Sequence, residues 1–212
     1  MTLVVCTGTG TDVGKTWVGA TVLAALRVGG RRVAARKPVQ SFDPKSPAPT
    51  DADVLATATG EPPESICPPH RWLPVAMAPP MAAQVLGRPP FSIADLVGEL
   101  RWPAPDPDIA WLETAGGVRS PLADDGDTAE LCAAVRPDAV VLVADAGLGV
   151  INAVLLSVDA LDGWPVVVVL NRFEAGNDLH IRNHAWLADR ASVDVVIGPA
   201  PLVERLERVG GD

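Results

Sequence analysis

The chain has 212 residues and a mass of 22.1 kDa, the size of one ordinary domain, so we expect residues 1–212 to form a single unit. Hydrophobic residues make up 48% and charged residues 20%, a globular balance that excludes a disordered tail protein. The formal net charge of -9 argues against nucleic acid or an anionic membrane as a partner. Three widely spaced cysteines without a CxxC pair argue against a disulfide framework or a zinc site. Since no apolar run reaches the ~18 residues needed to cross a bilayer and no basic leader is visible, we expect a cytoplasmic chain.

Apolar runs alternate with helix-length segments along the chain. In chain order, we predict strands at 3–7, 32–39, 108–113, 139–145, 165–171 and 193–198, and helices at 17–28, 51–59, 127–135, 150–161, 179–190 and 202–209. Segments 41–49 and 61–90 are rich in proline and weakly periodic, and we predict long surface loops there. Near-continuous apolar strands separated by helices are typical of a parallel sheet that is buried on both faces. The sequence therefore predicts an α/β fold, a single doubly wound and mostly parallel sheet with its site at the carboxyl ends of the strands.

A glycine-rich loop follows the first predicted strand and leads into the first helix. It reads GTGTDVGKT over residues 8–16, one residue longer than the common phosphate loop, which would have a glycine at position 9. Backbone N–H groups in such a loop, with a helix N-terminus behind them, form a concave anion site. Lys15 is placed to reach the β- and γ-phosphates, and the Thr16 hydroxyl to bind Mg²⁺. The order of strand, loop, GKT and helix predicts a P-loop NTPase type of fold that binds a nucleoside triphosphate through Gly10, Thr11, Asp12, Val13, Gly14, Lys15 and Thr16.

Charged side chains also follow later strands at the point where each strand ends. Lys37 lies at the end of the second predicted strand, where a cation faces the phosphates and can stabilise a transferring phosphoryl group. Glu113 ends the third strand, where a carboxylate is placed to hold Mg²⁺ together with the phosphate-loop threonine. Gly116 and Gly117 allow the backbone to approach a ligand closely. Asp145 ends another apolar strand and remains an alternative to Glu113 as the metal-binding acid.

Together these motifs resemble the dethiobiotin synthetase family. The loop at 8–16, KPVQS at 37–41 and ETAGG at 113–117 occur in the family's order, and TDADVL at 50–55, GLGVIN at 147–152 and LN at 170–171 also match. The resemblance covers nearly the whole chain, from the first strand to about residue 202. It implies an ATP-dependent ligase of biotin biosynthesis that makes dethiobiotin from 7,8-diaminopelargonate, CO2 and ATP with Mg²⁺. One amine captures CO2 as a carbamate, the carbamate attacks the γ-phosphate, and the second amine closes the ureido ring as phosphate leaves.

The resemblance also implies roles for individual residues. Lys37 is the family's second catalytic lysine and acts with Lys15, while Ser41 contacts the carbamate. Asn171 matches the asparagine that reads the adenine edge. The helix that begins near residues 149–153 acts across a dimer interface in the family, so a homodimer is implied. The implied metal ligands are Thr16, Asp51 and Glu113, with Asp53 left open as the alternative to Asp51 because the match there crosses a proline-rich loop.

Three positions depart from the family pattern. Thr114 replaces a glycine at a point where we expect the backbone to approach phosphate or substrate. Pro80 stands at a position where histidine is common in the family, and so does Ala153, which follows Asn152. These changes keep open a paralogue with a different substrate. A regulatory or partitioning P-loop ATPase is a further alternative, but its signature lysine would occupy the position of Gly10.

Overall fold

The computed structural model describes residues 1–191 and 193–208, with eight strands and nine α-helices among them. The strands are β1 (Thr2–Gly8), β2 (Val33–Arg36), β3 (Gln40–Ser41), β4 (Trp72–Leu73), β5 (Ile109–Glu113), β6 (Ala139–Asp145), β7 (Val166–Asn171) and β8 (Val195–Ile197). The helices are α1 (Lys15–Val28), α2 (Asp51–Thr59), α3 (Pro63–Ile66), α4 (Pro79–Val85), α5 (Ile93–Gly98), α6 (Thr128–Val135), α7 (Val150–Ala160), α8 (Asp178–Ala185) and α9 (Ala200–Arg208). No helix in these two ranges is long and apolar enough to cross a membrane.

Six of the strands form one sheet in the order β2-β5-β1-β6-β7-β8. All five neighbouring pairs in that order are parallel. From the central strand β1 the chain crosses to the edge strand β2, returns to β5 between them, and then fills the other side through β6, β7 and β8. This reversal of direction beside β1 is the switch point at which α/β sheets of this kind bind their ligands.

Successive side chains along each strand point to opposite faces of the sheet, so each face has its own hydrophobic core. Val4 and Cys6 of β1 point to one face, where α1, α2 and α9 cover them, whereas Val5 points to the other face under α5, α6 and α7. The predicted doubly wound, mostly parallel α/β fold is confirmed. The core residues of the six main strands come from the predicted strands, because a strand that is buried on both faces has to be apolar at nearly every position.

The region after β2 differs from the prediction. The predicted strand at 32–39 ends at Arg36 because Lys37 donates its backbone N–H to the Ile66 carbonyl, 2.7 Å away, instead of to the sheet. After Pro38 the chain pairs again as β3, now with β4 in a separate two-stranded sheet. The predicted loop at 61–90 contains α3, β4 and α4, and α5 was not predicted at all. These are elements of two to seven residues, too short to show a period.

Two predicted helices near the end of the chain also need correction. The helix predicted at 179–190 is α8 followed by a π-helical turn at Trp186–Arg190. The helix predicted at 202–209 begins earlier, at Ala200, and is described to Arg208, while Val209 lies outside the described residues.

Candidate active site

The phosphate loop is held in shape by contacts from its own lysine and from the end of β7. The Lys15 ammonium donates to the Gly10 carbonyl, with 3.0 Å between Nζ and O, so the lysine arches over the loop. The Asn171 side chain donates through Nδ2 to the Val13 carbonyl at 2.9 Å. Gly14, at the start of α1, has φ of 94°, and a Cβ there would lie 2.1 Å from the Asn171 amide nitrogen. Only glycine therefore fits both the left-handed backbone and the close approach of the asparagine.

Four predicted site residues meet in one cluster beside this loop. The Thr16 hydroxyl lies 2.9 Å from Oδ1 of Asp51 and 2.7 Å from Oε1 of Glu113. The Lys37 ammonium lies 2.7 Å from Oδ2 of Asp51 and 2.7 Å from Oε1 of Glu113. The side chains of Glu113 and Lys37 are 0% and 2% exposed, whereas that of Asp51 is 43% exposed. The ends of two strands, β2 and β5, and the starts of two helices, α1 and α2, thus converge on one point.

The charges in the cluster set the protonation of its members. Burial opposes the charge on Lys37, but the carboxylates of Glu113 and Asp51 outweigh it and raise the pKa of the lysine above its ordinary value. The Lys37 ammonium in turn lowers the pKa of the Asp51 carboxyl. Burial, followed by the like charge of Lys37, lowers the pKa of Lys15. The cluster therefore holds an ionised lysine against an ionised aspartate, next to a second lysine that gains from any anion placed beside it.

The donor set of this cluster fits Mg²⁺. Within the described residues, no three His, Cys, Asp or Glu side chains form a metal-binding group, so a metal here would have two carboxylates and the Thr16 hydroxyl from the protein. Mg²⁺ takes oxygen ligands, commonly one or two carboxylates, and fills its remaining positions with phosphate and water. Oε2 of Glu113 is buried and has no hydrogen-bond partner in the part of the chain that the structure describes. A buried carboxylate oxygen without a partner is the kind of group that a cation satisfies.

The alternative acids lie elsewhere. Asp53 is engaged in the capping box of α2, where its Oδ2 accepts from the Thr50 N–H at 2.9 Å and from the Thr50 hydroxyl at 2.7 Å. Asp145 accepts from Arg172 at 2.8 Å, and this hydrogen bond lowers the pKa of the Asp145 carboxyl. Arg172 also donates to the Asp12 carbonyl at 2.6 Å, so the pair braces the outer side of the phosphate loop. Neither acid contacts Thr16, which leaves Asp51 and Glu113 as the carboxylates of the cluster.

A cleft of about 970 Å³ opens above these side chains. Loop 42–50 and segment 76–79 supply much of its wall, which includes the apolar residues Phe42, Met77 and Pro79. Trp17 also lines the cleft and is 56% exposed. Of the predicted site residues, the cleft is lined by Thr11, Asp12, Gly14, Lys15, Thr16, Lys37, Ser41, Asp51 and Gly116, whereas Gly10, Val13, Glu113, Gly117 and Asn171 do not line it.

Gly116 and Gly117 were predicted to let the backbone approach a ligand, but one of them instead allows two loops to pack together. Gly117 packs on the phosphate loop, where a Cβ would lie 3.3 Å from the Gly10 nitrogen. Gly116 lines the cleft with φ of 73°, and a Cβ there would lie 2.6 Å from the Ser120 hydroxyl oxygen. Gly117 therefore allows the loop after β5 to pack against the phosphate loop, whereas Gly116 allows this loop to fold closely over Ser120 and faces the cleft.

Thr114 does not occupy the position that its sequence context suggests. Its side chain is fully buried, and its hydroxyl donates to that of Thr7 at 3.0 Å, with the Thr128 hydroxyl 3.3 Å away. The Thr114 side chain therefore points away from the cleft and into a buried cluster with Thr7 and Thr128. The expectation that Thr114 adds bulk where phosphate or substrate binds is wrong, and the main sequence argument for a different substrate is removed.

Comparison with known proteins agrees with this geometry. A family model described as an AAA domain matches residues 2–209. The ATP-dependent dethiobiotin synthetase of Caulobacter vibrioides is 38% identical over 157 residues, covering 73% of this chain and 71% of that protein. The chain belongs to the dethiobiotin synthetase family. A second member, from Anaeromyxobacter dehalogenans, is 40% identical over 171 residues, covering 78% of this chain and 74% of its own length.

Structural comparison places this dethiobiotin synthetase family member among P-loop folds. A plasmid partition protein from Borrelia burgdorferi bound to AMPPNP superposes with a TM-score of 0.55, covering 98% of this chain and 95% of that one. The identity is 12%, so the likeness concerns the fold. The family membership, by contrast, rests on relatives that match most of the chain in sequence.

Proposed function

We propose that this chain forms the ureido ring of dethiobiotin from 7,8-diaminopelargonate, CO2 and ATP, and releases ADP and phosphate. The observation that carries the proposal is the Lys37 ammonium, 2% exposed and 2.7 Å from a carboxylate oxygen on each of Asp51 and Glu113, at the mouth of a phosphate loop. The matched relatives are named ATP-dependent dethiobiotin synthetases. A fixed cation beside a phosphate site suits a reaction in which two anions, a carbamate and a triphosphate, have to meet.

The residues of the chain divide this work between them. Lys15 and the loop N–H groups hold the β- and γ-phosphates, and the energetic cost of keeping Lys15 charged while buried falls when phosphate arrives. Lys37 lies where it can bind the carbamate oxygen and the transferring phosphoryl group, and Ser41, also on the cleft wall, donates to the carbamate. The carbamate oxygen attacks the γ-phosphorus as ADP leaves, and the second amine then attacks the carbonyl carbon as phosphate leaves. The protein supplies position and charge and forms no covalent bond to the substrate.

The metal belongs to the cluster of Thr16, Asp51 and Glu113. Mg²⁺ bound there supplies charge neutralisation to the phosphate oxygens. Thr16 donates its hydroxyl proton to the carboxylates when no metal competes, and its oxygen is free to act as a ligand when one does. Asn171 packs against the phosphate loop from outside the lining of the cleft, and its proposed role is to face the adenine of the nucleotide.

The apolar wall suits the remainder of the substrate. Phe42, Met77 and Pro79 line the same cleft as the charged cluster, which gives the methylene chain of the diamine an apolar surface to bury. The substrate carboxylate is proposed to bind at the N-terminus of α7 in a homodimer. Leu148, just before this helix, and Leu156, within it, are 91% and 63% exposed, which supports a second copy of the chain as the partner there. Because Cys6, Cys67 and Cys132 are all free thiols, a cytoplasmic location is proposed.

Phosphate release tests the proposed function. The purified protein is supplied with ATP, Mg²⁺, bicarbonate and the diamine, and each component is omitted in turn. Phosphate should appear in a one-to-one ratio with the ureido product, and only in the complete mixture. Phosphate release that ignores the diamine would instead point to an ATPase of another kind.

A further inference from the structure

Gln40 lies in the KPVQS segment between Lys37 and Ser41 and has no role in the chemistry above. It is 2% exposed, although it forms part of the cleft wall. Its Oε1 accepts the backbone N–H of Ala52, with 3.1 Å between the two atoms. Its Nε2 is buried and finds no hydrogen-bond partner among residues 1–191 and 193–208. Since the Ala52 nitrogen is a donor, the amide atom that faces it has to be the oxygen, which fixes the orientation of the side chain.

The hydrogen bond from Ala52 bears directly on Asp51. The two residues are the first of α2, and the N–H groups of a first helical turn have no partner within the helix. The Thr50 hydroxyl satisfies the Asp53 N–H at 3.3 Å. Gln40 satisfies the Ala52 N–H from the cleft side. The backbone on both sides of Asp51 is therefore held, and its carboxylate, although 43% exposed, is fixed where it meets Thr16 and Lys37.

We propose that Gln40 is a positioning residue, which holds the start of α2 so that the Asp51 carboxylate stays in place as a Mg²⁺ ligand. The inference rests on the proposed function, since it takes Asp51 as part of the metal site. A buried amide that leaves its own donor unpaired is a poor choice for stability alone. Methionine has nearly the same length and volume and would fill the same space without the unpaired donor. Methionine could not supply the Oε1 acceptor that binds the Ala52 N–H.

Three variants separate this role from a general effect on folding. Gln40→Met removes both ends of the amide, whereas Gln40→Glu keeps an oxygen that can accept from Ala52. Ser92→Ala is the matched control, because Ser92 accepts the Asp95 N–H at 3.1 Å in the capping box of α5, a helix outside the cleft lining. It removes a first-turn hydrogen bond of the same kind from a helix that carries no metal ligand.

Three measurements are made on each variant. Amide exchange reports the protection of the Ala52 N–H, calorimetry with a non-hydrolysable ATP analogue reports Mg²⁺ affinity, and thermal unfolding reports stability. Gln40→Met should expose the Ala52 amide and weaken Mg²⁺ about tenfold, the lower end of what outer-sphere partners of metal ligands contribute. Binding of the analogue without Mg²⁺ should be unchanged. Gln40→Glu should recover most of the amide protection and of the Mg²⁺ affinity. Ser92→Ala should lower the unfolding temperature and leave Mg²⁺ affinity as in wild type.

Each other result has a definite meaning. Wild-type Mg²⁺ affinity in Gln40→Met would overturn the positioning role while leaving the proposed function intact. A loss of Mg²⁺ affinity in Gln40→Glu as large as that in Gln40→Met would also overturn it, since the acceptor would then be irrelevant. If the wild-type protein with the analogue bound no Mg²⁺ at all, the metal site of the proposed function would fail, and the role of Gln40 toward Asp51 would fail with it.

Discussion

Replacing Lys37 by methionine should remove turnover and also lower stability, and the structure gives the size of each effect. The Lys37 ammonium neutralises Glu113, whose side chain is 0% exposed, and Asp51, whose side chain is 43% exposed. Removing one partner of a buried ion pair typically costs ~3–5 kcal/mol, and here nearly all of it falls on Glu113 because Asp51 reaches solvent. For a chain of this size we expect the unfolding temperature to fall by roughly 10 °C. Loss of a contact to the transition state costs ~2.7–4 kcal/mol, or about two to three decades in rate.

A second substitution separates the two effects. In Lys37→Met with Glu113→Gln, the buried carboxylate is neutral, so the unfolding temperature should return most of the way to that of wild type. Turnover should not return, because the cation that meets the carbamate and phosphate is still absent. Phosphate release is measured well below the unfolding temperature of each variant, next to thermal unfolding of the same samples. Turnover of Lys37→Met within tenfold of wild type would refute the reasoning, because Lys37 would then have no part in the mechanism.

Four further substitutions test other parts of the site. Glu113→Gln should raise the Mg²⁺ concentration needed for turnover more than it weakens nucleotide binding. Asp145→Asn should leave the Mg²⁺ requirement unchanged. A larger rise in the Mg²⁺ requirement in Asp145→Asn than in Glu113→Gln would mean that Asp145, and not Glu113, binds the metal. Lys37 holds the pKa of Asp51 below its ordinary value of 3.8, so this stabilisation is present above pH 3.8 and is lost as the pH falls through the folded-state value. Acid unfolding below pH 3.8 should therefore be less steep in Asp51→Asn than in wild type, and equal slopes would contradict the ion pair. Thr114→Val should lower the free energy of unfolding by about 1 kcal/mol through lost hydroxyl contacts and leave KM for the diamine unchanged; a changed KM would place Thr114 at the substrate.

The sheet and the charged cluster could both be predicted from the sequence, and for the same physical reason. Parallel strands buried on both faces are apolar along their length, so the charged residues that end them, Lys37 and Glu113, stand out in the pattern. Parallel strands also bring their carboxyl ends to one edge, which is why residues 76 positions apart in the chain meet at 2.7 Å. The choice of Asp51 over Asp53 needed the structure, because both acids lie in the first turn of the same helix and only the capping box shows which one is already engaged.

The sequence did not show the direction in which individual side chains point near the ends of strands and in loops. Thr114 follows directly on a strand-end acid and was expected in the cleft, but a single residue of extended chain reverses the face to which a side chain points. Arg172 gave no signal, since its value to the phosphate loop lies in a bond to a backbone carbonyl, that of Asp12. Gln40 was likewise hidden, because its partner is the Ala52 N–H and backbone partners leave no trace in residue types. The short elements between 61 and 98 lacked the length to show any period.

The dependence of phosphate release on the diamine tests the proposed function most directly. With ATP, Mg²⁺ and bicarbonate present, adding 7,8-diaminopelargonate should start phosphate release, and mass spectrometry should find dethiobiotin in equal amount. The same mixture with Lys37→Met should give at least about a hundredfold less of both products. Phosphate release at the same rate with and without the diamine, or diamine-dependent release without dethiobiotin, would contradict ureido-ring formation by this chain.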